Sequence, residues 1–95
     1  MKYSLVRVSG SYTVGDSGSM CQILDGESYQ PIEGCYYPRV GCGVRVGSYH
    51  ARTFFGQDWW QTTPVTEILE ESVDEKGYRR MKFKTKNSIY EWKEF

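Results

Sequence analysis

The stretch "YRRMKFKTKNSIYEWK", Tyr78 to Lys93, constrains the fold more than any other. Apolar and charged residues alternate on both sides of Lys86-Asn87, and a period of two is the signature of strands with one buried face. Lys-Asn between two such runs reads as a tight turn, since Asn tolerates the left-handed backbone a short hairpin needs. Upstream, "VTEILEESV" (Val65 to Val73) is read as a third strand, joined through Asp74-Glu75-Lys76-Gly77. A short helix over Pro64 to Glu71 is its rival, because Glu67, Glu70 and Glu71 are helix formers.

These turns set a register. A second turn at Lys86-Asn87 places Phe83 opposite Tyr90, Met81 opposite Trp92 and Lys82 opposite Glu91. A first turn at Glu75-Lys76 places Val73 opposite Tyr78, Glu71 opposite Arg80, Glu67 opposite Lys84 and Ile68 opposite Phe83. One apolar face, Ile68, Met81, Phe83, Tyr90 and Trp92, then runs across all three strands and is the expected core.

Elsewhere β-branched and aromatic residues recur in short runs broken by Gly, Pro, Asn, Asp and Ser, and no window carries a helical stripe. Lys2 to Val8 and Met20 to Leu24 read as strands, and Ser9 to Ser19 as loop or a short irregular hairpin. Asp25 to Gly34, with an Asp-Gly start and Pro31, reads as turn and edge structure. Arg39 to Val46 and Ser48 to Phe55 are two more strand candidates, with Gly41, Gly43 and Gly47 permitting bulges or sharp coiling. Gly56 to Pro64 reads as a connecting loop. The expected fold is all-β: a small SH3-like or OB-like coiled sheet or barrel ending in a three-stranded antiparallel meander.

The 95 residues suit a single domain spanning 1–95, and so small a core leaves room for homo-oligomerisation to add burial. Twelve Lys and Arg balance twelve Asp and Glu, which argues against bulk electrostatic coating of nucleic acid or a membrane. Neither a signal peptide nor a membrane span is expected, so the chain reads as intracellular and cytoplasmic. Cys21, Cys35 and Cys42 are odd in number and lack C-x-x-C spacing, so free thiols are expected. With His50 they number four potential zinc ligands, but not in the close pairs of structural sites, and no metal or other cofactor is expected.

The candidate ligand-binding residues are Arg45, His50, Arg52, Trp59 and Trp60. Strand alternation puts His50 and Arg52 on one side with Phe54, an arrangement able to hold a nucleotide with Arg on phosphate and a ring on the base. Against it stands a core role for Phe55 and one Trp. Adjacent Trp cannot both point inward from an extended strand, so the other needs a different explanation.

A second candidate is the basic run Arg80, Lys82, Lys84 and Lys86, a phosphate track for single-stranded nucleic acid. It is disfavoured because Glu71, Glu67 and Glu91 are expected across from three of these cations. A hydrolase would have to use His50, and no local motif supports one. There is no G-x-S-x-G elbow, P-loop or H-E-x-x-H, and Glu70-Glu71 point apart on a strand.

The segments "RVGSYHARTFFGQDWWQTTPVTEILEE" and "MKFKTKNSIYEWKEF" resemble small accessory proteins encoded by bacteriophages and prophages. The likeness covers Arg45 to Phe95. It implies a compact intracellular protein of a kind that inhibits host factors, including defence proteins, or sequesters host signal nucleotides. The expected function is therefore non-enzymatic binding of a host protein or a small nucleotide ligand. Single-stranded nucleic-acid binding and a His50 hydrolase are the alternatives.

Overall fold

The computed structural model describes residues 2–9, 14–47 and 59–95, with the side chains of 14–17 outside the description. Among the described residues eight strands form and there is no helix, hence none long and apolar enough to cross a membrane. The strands are β1 (Tyr3–Arg7), β2 (Val14–Gly18), β3 (Met20–Asp25), β4 (Cys42–Gly47), β5 (Trp59–Gln61), β6 (Val65–Val73), β7 (Arg79–Thr85) and β8 (Ile89–Glu94). They build a five-stranded antiparallel sheet ordered β2-β1-β8-β7-β6 and a three-stranded antiparallel sheet ordered β3-β4-β5.

The meander stands at one side of the larger sheet, and the second hairpin has the expected register. Phe83 pairs with Tyr90, Met81 with Trp92 and Lys82 with Glu91. Thr85 N–H donates to Ser88 O at 2.9 Å across the two-residue turn. The helix over 64–71 does not form.

The first hairpin departs from expectation. Val73 pairs with Arg79 rather than Tyr78, because the loop is one residue longer at its base. The Asp74 carboxylate accepts from the Lys76 and Tyr78 amides at 2.9 Å each, and Gly77 takes a φ of 86°, open to glycine without strain. Register shifts between Ile68 and Glu70 and between Val65 and Glu67 absorb the difference. Ile68–Phe83 and Glu67–Lys84 therefore pair as expected, while Glu71 is displaced from Arg80 onto Met81.

The predicted barrel does not close. Two sheets stack instead, with β4 against β1 and β2, and among the described residues β2 and β6 are the outermost strands of the larger sheet. Each sheet turns an apolar face to the other, so stacking removes both from water without joining their edges. The shared core contains Leu5, Met81, Phe83, Tyr90 and Trp92 from one sheet and Cys21, Ile23, Val44 and Val46 from the other, with Cys35 and Val65. Ile68 and Trp60 pack against it partly buried.

Trp92 and Phe83 are among the largest fully buried side chains, and burying a Phe stabilises by roughly 1.5–3 kcal/mol. Phe83 stacks on Tyr90 at a centroid distance of 5.5 Å, and Tyr3 on Trp92 at 6.0 Å. The cysteines are free thiols. Burial pushes the Cys21 thiol up to about 12, offset in part by the nearby Trp92 indole and reinforced by Cys35 and Glu94.

One open reading is decided and one strand expectation needs correction. Of loop or hairpin for Ser9 to Ser19, the hairpin is found, with Val14 to Gly18 paired along β1 in unbroken register. Trp59 to Gln61, expected in a loop, is β5 and pairs with β4. The strand expected over Ser48 to Phe55 lies outside the described residues. The segment 26–41 returns from β3 to β4 over one end of the stack. Gly26 there lies so close to Gly41 that an added Cβ would sit 2.1 Å from its carbonyl oxygen. Gly41 N–H donates to Val65 O at 2.8 Å, tying this segment to the start of β6.

Candidate functional site

The small sheet has a second face, opposite the shared core, on which Met20 and Leu24 are buried and Gln22, Arg45 and Trp59 half-buried, and its register arranges that face in three rows. Met20, Gly47 and Trp59 form the first, Gln22, Arg45 and Gln61 the second, and Leu24 with Gly43 the third. Rows on one face of a sheet repeat every two residues, about 7 Å apart. The Tyr29 ring lies against Gly43, 3.6 Å from where a Cβ would stand. A polar row thus runs between aromatic rings at Trp59 and Tyr29.

Arg45 organises the middle row. Its Nε and one Nη donate to Gln61 Oε1 at 3.0 and 2.7 Å, and the other Nη donates to Gln22 Oε1 at 3.0 Å. The guanidinium carbon stands 5.0 Å from the Trp59 ring centroid, a cation–π contact of about 0.5–1 kcal/mol at an exposed site. A guanidinium has five N–H donors and accepts nothing, so both glutamines must turn their oxygens to it and their NH₂ groups away. Among the described residues two guanidinium N–H groups are left over, and with the two amide NH₂ groups the row is rich in donors.

The tryptophans divide between the faces, as expected of adjacent residues in a strand. Trp60 pairs with Val46 and packs on the core, where its buried Nε1 has no hydrogen-bond partner among the described residues. Trp59 pairs with Gly47, which has no side chain, and lies on the other face. Of the five candidate residues, Arg45 and Trp59 therefore come together, and Trp60 belongs to the core side. His50 and Arg52 lie outside the described residues.

Gln22, Gln61 and Tyr29 were not among the sequence candidates. Alternation from Trp59 already places Gln61 beside it, but bringing Gln22 to Arg45 requires the cross-strand register. Tyr29 sits in a tight loop where Asp25 Oδ1 accepts from the Glu27 and Ser28 amides at 2.9 and 3.0 Å. These bonds, Ser28 first, hold the Asp25 carboxyl below its ordinary value. Tyr29 has a φ of 57°, unusual for a residue with a bulky side chain.

The disfavoured basic run is only partly neutralised. Lys82 Nζ lies 3.9 Å from Glu91 Oε1. Glu71, displaced by the bulge, instead binds Arg79 at 2.6 Å, whose guanidinium also covers the Tyr37 ring at 4.3 Å. Among the described residues no three His, Cys, Asp or Glu side chains gather to hold a metal ion. Cys21 and Cys35 are buried in the core. Comparison with protein-family models, curated proteins and solved structures finds no match to this chain.

Proposed function

We propose that this chain is a non-enzymatic binding protein that captures a nucleotide-type ligand on the Arg45 row. The observation that carries the reading is the donor-rich row, Gln22, Arg45 and Gln61, beside the Trp59 ring. Phosphate and carbonyl oxygens match donors, and a base matches an aromatic face. The side chains that bond to Arg45 hold it in place, so little conformational freedom is lost when a ligand arrives. Sequestration of a host signal nucleotide, which the likeness to phage accessory proteins implies, needs no more than this.

The test is calorimetric titration of a nucleotide panel into the wild-type, Arg45→Gln and Trp59→Ala proteins. Binding lost in both folded variants supports the reading, and unchanged binding refutes it.

A protein partner is the second reading, favoured by a different observation. Tyr36, Tyr37 and Val40 are 59%, 43% and 62% exposed within the 26–41 segment, and exposed tyrosines are a frequent currency of protein recognition. Host-factor inhibition through this segment predicts that Tyr36→Ala abolishes capture of the host protein while nucleotide titrations are unaffected.

A further inference from the structure

The larger sheet also has a face turned away from the core, and it carries a groove of about 330 Å³. Arg80, Lys82 and Lys93 line it against Glu70 and Glu91, with Ser72 at its side. Three cations face two carboxylates, and the carboxylates are concentrated at one end. Glu91 lies 3.9 Å from Lys82, and Glu70 is the cross-strand partner of the same lysine.

At the other end Arg80 and Lys93 are direct cross-strand partners, a separation of about 5 Å between Cα atoms. Like charges so placed repel. Among the described residues neither forms an ion pair, and Lys93 rests only on the Phe95 ring at 5.6 Å. The partner of Arg80 on β6 is Ser72, a hydroxyl rather than a carboxylate.

The bulge produces this arrangement. A regular β6 turning at Glu75-Lys76 would have set Glu71 against Arg80 and cancelled its charge. The longer loop and the register shift between Ile68 and Glu70 carry Glu71 to the opposite face, where it binds Arg79. Bulges often re-aim side chains beside functional sites, and this one removes a counterion from a groove and leaves a hydroxyl there.

We propose that the Arg80–Lys93 end of this groove binds a phosphoryl group. The Arg80 fork takes two oxygens, the Lys93 ammonium a third, and the Ser72 hydroxyl is a further donor beside them. The groove's volume lies at the small end of the range for small-molecule sites, which suits a compact phosphorylated ligand. It is separate from the Arg45 row, since the two occupy outward faces of different sheets, and it stands or falls independently.

The test uses inorganic pyrophosphate as probe, followed by amide chemical shifts of the full chain at low ionic strength. Saturable shifts are expected at Arg80, Met81, Trp92 and Lys93. In an Arg80→Gln/Lys93→Gln variant whose spectrum remains folded, affinity should fall about tenfold or more. A Lys84→Gln/Lys86→Gln variant, which loses the same charge outside the groove lining, should bind as wild type. Equal weakening in the two variants, shifts centred on Lys84 and Lys86 or on Arg45, or no saturable shift overturns the proposal. Acetate at matched ionic strength should leave the groove unshifted, and equal shifts with acetate would overturn the phosphoryl assignment.

Discussion

Replacing Trp60 and Trp59 separately by Ala tests the division of the pair between the two faces of the small sheet. Trp60 packs on the core but is only partly buried. Full truncation of a buried aromatic costs roughly 3–5 kcal/mol, so a partly buried one should cost about 2–3 kcal/mol. Its indole N–H has no partner among the described residues, so no hydrogen bond is lost to add to that figure. Trp59→Ala forfeits the contact with Arg45, about 0.5–1 kcal/mol. For a domain of this size each kcal/mol moves Tm by about 4–8 °C. Trp60→Ala should therefore melt about 10–20 °C lower and Trp59→Ala less than about 10 °C lower. Urea unfolding followed by the fluorescence of Trp92, which is buried and present in both variants, measures the difference. Equal losses, or a larger loss for Trp59→Ala, would refute the assignment of faces. A cycle with Arg45→Gln should then give a coupling of about 0.5–1 kcal/mol to Trp59 and none to Trp60.

Gly26→Ala should destabilise the fold by about 1–3 kcal/mol, because the new methyl meets the Gly41 carbonyl and one of the two segments must move; thermal melting reads this. In alkylation followed by peptide mass mapping at pH 8, Cys42, only partly buried, should react before Cys21, whose thiol is pushed up to about 12. Because the folded-state value of Cys21 is raised, the stability it contributes is intact below the ordinary thiol value and is lost as pH climbs from about 9 toward 12. The stability difference between wild type and Cys21→Ala should narrow over that range, and a constant difference would refute the assignment. Asp25 has the opposite sign. Its folded-state value is depressed, so its contribution is present above the ordinary aspartate value of about 3.9 and fades only in stronger acid. The Glu27 and Ser28 amide shifts should titrate below that value.

Legibility followed the range of the interactions. The Lys86-Asn87 hairpin was fully readable because its turn, its alternation and its cross-strand pairs are all local. The Asp74 to Tyr78 loop was misjudged by one residue, since a side-chain carboxylate accepting two amides competes with the tightest turn. The sequence pattern therefore placed Ile68 and Glu67 correctly and Glu71 on the wrong face. Trp59 to Gln61 looked like a loop because its strand character comes from pairing with Arg45 to Gly47, which no local window contains. Barrel closure was a global inference from glycines, and two stacked sheets satisfy the same apolar pattern. At the site, Arg45 and Trp59 were visible by residue type. Gln22 and Gln61 were not, because an uncharged amide becomes informative only once a guanidinium is known to face it.

The strand β6 carries a further consequence. It is nine residues long, and among the described residues its outer backbone groups have no neighbouring strand beyond the Val40–Val65 bridge. Leu69 and Val73 on it are 39% and 58% exposed. Such a border invites another chain to add itself by backbone pairing. The two register irregularities deform the template, and Glu67, Glu70 and Glu71 repel an identical copy. The bulge that withdraws a counterion from the groove thus also helps to keep this border from assembling into fibrils.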